Sequence, residues 1–281
     1  MNKDGWVRLV FLAIFCFINL SLVDFKSSRL STYRLVQIIG ATSHGLRSVI
    51  QDSKKEFSMC DHSKRVLFIV TSNDRIGPND RATGYEYSEV AHPYLCFTAD
   101  GISVDFASLK GGFPPETGYD DSDIASVIFR NSNGFRRLNK SMLLSDVDLN
   151  NYDAIFFPGG LGPMVDMEKD MSVKKAIAQV YEEGRIVGAV CHGPVALLNV
   201  DLSDGSSFLE GKNIACFTKA EEEAYAKSDV PFILDTALTA QGARHTYADL
   251  FEAHVVVDGR LVTGQNPASA AGVAVEIIKM L

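Results

Sequence analysis

The sequence predicts an α/β protein in which helices cover both faces of a mostly parallel sheet. Short, continuous apolar runs such as residues 66–71 are typical of strands that are buried on both faces. Segments with helical periodicity alternate with these runs, which is the pattern of βαβ units. The composition is globular, because 46% of the 281 residues are hydrophobic and 22% are charged.

The first part of the chain departs from this pattern. Residues 9–23 carry no charge, and only Asn19 and Ser21 among them are polar. Because this run is shorter than the about 20 residues that span a bilayer, we predict a hydrophobic signal peptide or signal anchor over residues 1–25. The alternative is a buried helix of the globular domain. Whether such a leader is cleaved is left open.

A linker is predicted over residues 26–64, followed by a catalytic domain over residues 65–281. One helix could lie in the linker between residues 34 and 50, although Gly40 and Gly45 disfavour it. The leader favours the secretory pathway or a membrane tether through its apolar run.

The first half of the domain begins with the strand at 66–71 and a helix at 88–99. A strand is predicted at 104–107. The polar segment 111–150, rich in Gly, Pro and Asp, is interpreted as an irregular insertion or lid. The next buried strand is Ala154–Phe157.

The second half begins with a helix at 172–183 and a strand at Ile186–Val190, after which a helix starts just beyond Cys191. The remaining predicted elements are a strand at 214–217, helices at 220–227 and 232–241, a hairpin of strands 255–257 and 261–263 around Asp258-Gly259, and a last helix opened by Asn266-Pro267.

Several function classes are disfavoured by charge and motif content. The net charge is −8 and no basic cluster is present, so no nucleic-acid partner is predicted. The five cysteines show no CxxC spacing and the six histidines no HxxxH pattern, so we predict neither a disulfide scaffold nor a metal site. The glycines form neither a dinucleotide fingerprint nor a P-loop, and no cofactor is predicted.

The chemistry-bearing segment surrounds Cys191. An apolar strand ends at Val190, and small residues flank the cysteine at Ala189 and Gly193. This arrangement is typical of a nucleophile elbow, which raises its side chain above the sheet. A helix start beyond the turn would favour the thiolate. The alternative is an ordinary buried cysteine at a strand end.

A thiolate nucleophile needs a base and an acid that orients the base. His192 is adjacent to Cys191, and His245 and His254 are equally open from spacing alone. The glutamates at 221–223 follow a predicted strand end, although such a run is more typical of a solvated helix start.

Two further features lie near predicted strand ends or helix starts. Gly159 and Gly160 let the backbone approach a ligand closely, so their N–H groups could donate to an oxyanion, and a simple turn is the alternative. Glu89 in the first turn of the predicted helix could exchange a proton with the thiol, or could only complement the helix dipole.

The domain resembles the ThiJ/PfpI superfamily, whose members have a class I glutamine amidotransferase-like, flavodoxin-type three-layer α/β/α fold. Within it, the branch of heat-shock-type chaperones and glutathione-independent glyoxalases (glyoxalase III) is the most similar. Six motifs carry the resemblance: GYEYSEVAHPY (84–94), VDFASLKGG (104–112), YDAIFFPGG (152–160), AVCHGPVALLNV (189–200), GKNIACFTKAEEEAY (211–225) and DGRLVTGQNPASA (258–270).

The resemblance implies a role for each matching residue. Cys191 matches the nucleophile, His192 the triad histidine, and Glu222 its acid. Glu89 matches the carboxylate that contacts the thiol, and the amides of Gly160 and His192 match the oxyanion donors. Many members carry His-Gly-Thr after the glycine pair, where this chain has Leu-Gly-Pro at 161–163. The part of the site wall that these residues form is therefore expected to differ in polarity from that of those members.

The implied reaction converts methylglyoxal or a related 2-oxoaldehyde to a 2-hydroxy acid such as lactate, without glutathione or metal. The resemblance also implies a homodimer and, as the alternative to the secretory pathway, a cytoplasmic location. A holdase chaperone or cysteine redox sensor is one alternative function. A protein or nucleotide deglycase or other cysteine hydrolase is another, although His254 does not fit the His-x-Glu of amidotransferases.

Overall fold

The computed structural model describes residues 64–281. The predicted leader at 1–25, with its tether at 9–23, lies outside the described residues, as does all of the predicted linker except Lys64. The division of the chain into leader, linker and catalytic domain therefore stays a prediction. Within the described residues, no helix is both long and apolar enough to cross a bilayer.

Short strands and helices alternate along the described chain. Its strands are β1 Arg65–Val70, β2 Arg75–Ile76, β3 Arg81–Ala82, β4 Tyr85–Glu86, β5 Ser103–Ser108, β6 Glu116–Thr117, β7 Met142–Leu143, β8 Ala154–Phe157, β9 Ile186–Val190, β10 Asn213–Ile214, β11 Arg244–His245, β12 Val255–Asp258 and β13 Leu261–Gly264. Its α-helices are α1 Tyr87–Ala99, α2 Ile124–Arg130, α3 Asn133–Leu138, α4 Pro163–Asp166, α5 Met171–Glu182, α6 Lys219–Tyr225, α7 Leu234–Ala240 and α8 Ala270–Met280.

A central sheet organises these elements. Seven of the described strands form it in the order β12-β13-β9-β8-β1-β5-β7. Every neighbouring pair is parallel except the hairpin of β12 and β13. The predicted α/β class with a mostly parallel sheet is confirmed. From β1 the chain moves first toward β5 and later toward β8, so the topological switch point lies between β1 and β8, where open α/β sheets place their ligands.

Helices pack against both faces of the sheet and complete three layers. On one face, Phe97 of α1 packs on Phe68 of β1, and Ile277 of α8 belongs to the same buried cluster. On the other face, Ile177 of α5 and Ile155 of β8 belong to a second buried cluster. The strands are buried on both sides for this reason, which explains their continuous apolar runs.

The segment 111–150 is more regular than predicted. Helices α2 and α3 form within it, and β7 extends the edge of the sheet beside β5. The side chain of Asp123 accepts hydrogen bonds from the first turn of α2, and Ser132 accepts one from the first turn of α3. These N-caps stabilise helices of six or seven residues that hydrophobic periodicity is too short to reveal.

Two predictions around the second half of the sheet were wrong. The predicted strand at 214–217 is reduced to β10, which pairs only with β11 outside the central sheet. The residues after β10 form hydrogen bonds other than those of a strand. The N–H of Ala215 donates to the Thr263 hydroxyl, and the N–H of Phe217 donates to the carbonyl of Cys191. The helix after Cys191 is a 3₁₀ helix of five residues, Gly193–Leu197, so it offers little of the macrodipole that was expected to favour a thiolate.

Candidate active site

The candidate site lies at the carboxyl ends of two neighbouring parallel strands. The glycine pair at 159–160 follows β8, and Cys191 follows β9. Helix α1 brings Glu89 to them in its first turn, and α6 brings Glu222. The structure thus gathers residues from four separate segments at the edge where the fold places ligands.

Cys191 occupies a strained turn. Its φ is +61°, in the left-handed region of backbone conformation that residues other than glycine rarely adopt. The conformation is fixed from both sides, because its N–H donates to the carbonyl of Gly264 and its carbonyl accepts from Phe217, both at 2.9 Å. A Cβ at Gly193 would lie 2.1 Å from the carbonyl oxygen of Phe157, so the small residue is required for the turn to pack against β8.

The turn places His192 beside the thiol. Its Nδ1 lies 3.4 Å from Cys191 Sγ, and its Nε2 lies 2.9 Å from Oε2 of Glu222. Both His192 and Glu222 are buried, and the ring of Phe217 packs on the imidazole with 4.4 Å between centroids. A carboxylate accepts only, so this contact favours the neutral His192 tautomer that carries its proton on Nε2 and presents Nδ1 as an acceptor to the sulfur.

Glu89 approaches the thiol from the other side. It is fully buried, and its Oε2 accepts a hydrogen bond of 2.6 Å from the N–H of Gly159. Among residues 64–281, its Oε1 has no hydrogen-bond partner, and the carboxyl and the Cys191 side chain both lie beside Gly159. A buried carboxyl oxygen without a conventional partner, next to a thiol, is suited to exchange a proton with it.

Burial and mutual repulsion control the protonation of this pair. Burial raises the pKa of Glu89 well above its usual value, and the negative charge of Glu86 raises it further. Burial and the charge of Glu89 raise the pKa of the Cys191 thiol, while the amide of Gly160 acts in the opposite direction. The thiolate therefore forms most readily when Glu89 carries a proton, since the opposing charge is then removed.

The glycine pair forms a wall of the candidate site against Cys191. A Cβ at Gly159 would lie 2.7 Å from the amide nitrogen of His192 and 2.9 Å from the Cβ of Cys191. Gly160 has a φ of +87°. Among the described residues, neither the Gly160 N–H nor the His192 N–H donates to a backbone carbonyl. Both amides are therefore available to an oxyanion that forms at the sulfur.

The alternative acids have other tasks. Glu221 is buried and accepts five hydrogen bonds, from the backbone and side chain of Thr218, the side chains of Gln265 and Asn266, and the N–H of Phe251. Glu223 is exposed and pairs with Lys227 at 3.0 Å.

The alternative histidines make their contacts away from the thiol. His254 contacts the hydroxyl of Thr246, with 3.0 Å between Nε2 and Oγ1. His245 stacks on Tyr247, and burial lowers its pKa. Of the three candidate histidines, His192 is the one within hydrogen-bonding distance of Cys191.

Sequence reasoning missed Glu86 and Tyr225. Glu86 lies three residues before Glu89, a spacing that puts both on one side of the start of α1 and could have revealed it. Tyr225 at the end of α6 is half exposed, and its ring stacks under the guanidinium of Arg81. Burial raises the pKa of Tyr225, and the charges of Glu86, Cys191 and Glu89 raise it further. Within residues 64–281, no group of three or more potential ligands could hold a metal ion.

The fold and site define an α/β protein with a cysteine at a strained strand end, flanked by a histidine–glutamate pair and a second carboxylate. The chain belongs to the DJ-1/PfpI family, whose model matches residues 81–280. The resemblance inferred from the six motifs is confirmed.

Relatives of this chain carry glyoxalase names. It is 31% identical to Glyoxalase 3 of Candida albicans, over 76% of this chain and 97% of that protein. It is also 31% identical to the glutathione-independent glyoxalase HSP31 of Saccharomyces cerevisiae, over 78% and 98%. Among solved structures, the Rapid Encystment Protein 24 KDa of Francisella tularensis superposes with a TM-score of 0.74 at 32% identity, over 77% of this chain and 98% of that one.

Proposed function

We propose that this protein is a glutathione-independent glyoxalase that converts methylglyoxal or a related 2-oxoaldehyde to the 2-hydroxy acid, a lyase of the D-lactate dehydratase type. The observation that carries the proposal is the contact of one thiol with two acid–base groups. Cys191 meets His192 at 3.4 Å, and the buried Glu89 lies beside it, since a Cβ at Gly159 would be 2.9 Å from both the Cys191 Cβ and Oε2 of Glu89. An internal redox reaction of an aldehyde needs a nucleophile and a group that moves a proton between two adjacent carbons.

The first step is addition of the Cys191 thiolate to the aldehyde carbon, C1. The carbonyl electron pair moves to oxygen, and the hemithioacetal oxyanion is stabilised by the amides of Gly160 and His192. Glu89 or His192 holds the proton that the thiol released. The strained turn fixes the sulfur before substrate arrives, which reduces the entropy lost in reaching the transition state.

The second step moves a proton from C1 to C2. His192 or Glu89 removes the C1 proton to give an enediol, and protonation at C2 then yields a thioester of the 2-hydroxy acid. Water attacks this thioester, and the thiolate leaves as the acid is released. The sum is one 2-oxoaldehyde plus one water to one 2-hydroxy acid, so carbon C1 is oxidised at the expense of C2. Glu222 orients His192 throughout.

The test compares the full-length wild type with Cys191→Ala and Cys96→Ala. Each purified, reduced protein receives methylglyoxal without glutathione, and both the loss of methylglyoxal and the formation of lactate are followed. We expect turnover in the wild type and in Cys96→Ala, because Cys96 lies on α1 outside the site, and none in Cys191→Ala. Turnover that survives Cys191→Ala in a folded protein would refute the mechanism.

A holdase chaperone is the second candidate, because apolar side chains are exposed beside the site. Tyr247, Leu250 and Phe251 are each about half exposed or more, on the loop that Glu221 fastens to α6. Protection of a heat-denatured client that persists in Cys191→Ala would favour this function.

The proposal also retains a homodimer, to be tested by light scattering of the eluted protein, and a tether through residues 9–23, to be tested by membrane fractionation.

A further inference from the structure

Glu86 is a carboxylate at the candidate site to which neither the family motifs nor the proposed mechanism assigns a role. It precedes α1 and shares one glycine with Glu89, because Gly159 accepts a hydrogen bond of 3.0 Å from the N–H of Glu86 while it donates one to Glu89. The same glycine lies against Cys191, as its absent Cβ would be 2.9 Å from that residue's Cβ. The backbone of Glu86 is therefore part of the wall that lies against Cys191.

The Glu86 carboxylate has few groups to balance its charge. Its side-chain hydrogen bond is a long one of 3.4 Å from the hydroxyl of Ser88. The turn at Gly118 packs on the carboxylate so closely that a Cβ there would lie 2.0 Å from Oε1. Among residues 64–281, no cationic side chain forms an ion pair with Glu86, and burial raises its pKa to about 7 while hydrogen bonds from Ser88 act in the opposite direction. Above neutral pH, it places an uncompensated negative charge in the wall.

The charge of Glu86 affects the pKa values of groups on three other parts of the site. Glu86 raises the pKa of Glu89 on α1, of Cys191 after β9 and of Tyr225 on α6. An incoming molecule that reacts at the sulfur enters the same field. A second negative charge on that molecule is repelled, whereas a neutral molecule is not.

We propose that Glu86 is a specificity-determining residue that makes Cys191 select uncharged electrophiles against anionic ones. Resting on the proposed function, this inference restricts the substrates to 2-oxoaldehydes without a carboxylate or phosphate group. The selectivity itself is a property of the thiol and can be measured without turnover.

The test uses two alkylating reagents of similar size that differ in charge. Iodoacetamide is neutral and iodoacetate is an anion, and the Cys191 thiolate displaces iodide from both. Full-length wild type, Glu86→Gln and the control Glu276→Gln are treated at pH 8, and the alkylated Cys191 peptide is quantified by mass spectrometry. The ratio of the two rate constants is divided by the same ratio for a free cysteine peptide. Glu276 is a suitable control because it pairs with Lys279 on the exposed side of α8.

We expect the normalised ratio to favour iodoacetamide in the wild type and Glu276→Gln, and to fall by about fivefold in Glu86→Gln, as removal of one screened charge predicts. Glu86→Asp, which keeps the charge, should retain most of the preference. If Glu86→Gln does not fold, Glu86→Ala serves in its place. An unchanged ratio in the folded neutral variant would overturn the proposal, as would a wild-type ratio equal to that of the free peptide.

A second arm measures the substrate consequence. The kcat/KM for methylglyoxal is compared with that for 4,5-dioxopentanoate, a 2-oxoaldehyde that carries a carboxylate. Glu86→Gln should narrow the difference by raising kcat/KM for the anionic substrate. If neither compound is turned over by the wild type, the proposed glyoxalase function fails, while the alkylation ratio still decides the role of Glu86.

Discussion

Replacement of Gly159 by alanine should disable the site without removing any reactive side chain. The added Cβ would lie 2.7 Å from the His192 amide nitrogen, 2.9 Å from the Cys191 Cβ and 2.9 Å from Oε2 of Glu89. Ordinary contacts begin near 3.4 Å, so these three groups must retreat by roughly 0.5 to 0.7 Å. One methyl group thus displaces the proposed oxyanion donor His192, the proposed nucleophile Cys191 and the Glu89 carboxylate together.

The expected loss follows from the sensitivity of catalysis to position. Misplacement of reacting groups by about 1 Å costs on the order of 100-fold, so we expect kcat/KM for methylglyoxal to fall by about 100-fold, equivalent to about 2.7 kcal/mol. The assay is lactate formation per folded molecule, with the folded fraction taken from thermal unfolding. The rate at which iodoacetamide alkylates Cys191 should also change, because the N–H of Gly159 donates the hydrogen bond that positions Glu89.

Gly188→Ala is the matched control. Gly188 is a buried glycine of β9, and its added Cβ would meet the side-chain ends of Ile277 and Phe156 at 2.6 and 3.0 Å, not the reacting groups. This variant should lose stability by core overpacking of typically 1–3 kcal/mol yet keep its activity per folded molecule. Equal losses of activity in the two variants, or full activity in Gly159→Ala, would refute the steric reasoning.

Three other predictions follow from buried polar groups. Glu222→Gln should lower kcat by about 100-fold or more with little change in KM, because the amide no longer enforces the His192 tautomer, and steady-state kinetics with methylglyoxal measure it. Glu221→Gln should lower stability by about 2–4 kcal/mol in urea unfolding, because an acceptor of five hydrogen bonds is altered, whereas Glu223→Gln should change it by less than about 0.5 kcal/mol. Lys174 is buried and its pKa is lowered to about 8, so the unfolded chain binds more protons than the native protein between about pH 8 and 10.5. The stability of the wild type should therefore rise relative to Lys174→Met across that window, by up to about 3 kcal/mol, as measured by urea unfolding at several pH values.

Each of these predictions has an outcome that contradicts it. A wild-type kcat in Glu222→Gln would mean that the buried pair does not orient the base. Equal stabilities of Glu221→Gln and Glu223→Gln would contradict the assignment of Glu221 as a structural acceptor. A stability difference between wild type and Lys174→Met that is constant with pH would show that the Lys174 pKa is not lowered by folding.

The strand-end turn that carries Cys191 could be predicted from sequence because its determinants are local. An apolar strand, a cysteine and a glycine two residues later define the turn, and the structure shows that Gly193 is small because the carbonyl of Phe157 occupies the space. The mostly parallel sheet was equally accessible, because strands buried on both faces carry continuous apolar runs.

The partners of Cys191 could not be chosen from spacing. An adjacent histidine can face the sulfur because Cys191 adopts a φ of +61°, and that conformation depends on hydrogen bonds to Gly264 and Phe217, which are distant in sequence. Glu221 and Glu222 differ by one position on α6, or about 100° of rotation, and which of them faces His192 depends on how α6 is docked. The six family motifs supplied what spacing could not.

The predictions of the short helices and of the strand at 214–217 were wrong for a different reason. Helices α2 and α3 depend on N-caps and on packing rather than on a long apolar stripe. The expected strand at 214–217 is apolar and buried, yet its N–H groups donate to Thr263 and to the turn at Cys191. Burial alone therefore did not distinguish a sheet strand from a segment that supports the active-site turn.

The central claim is that Cys191 forms a covalent intermediate that turns over. Full-length wild type is mixed with methylglyoxal, quenched in acid at successive times and digested, and the mass of the Cys191 peptide is followed beside the lactate released. We predict an adduct of one methylglyoxal on Cys191 that reaches a steady state as fast as lactate production begins and decays when substrate is exhausted. Lactate formed without any Cys191 adduct, or a lasting adduct with no lactate, would contradict the account.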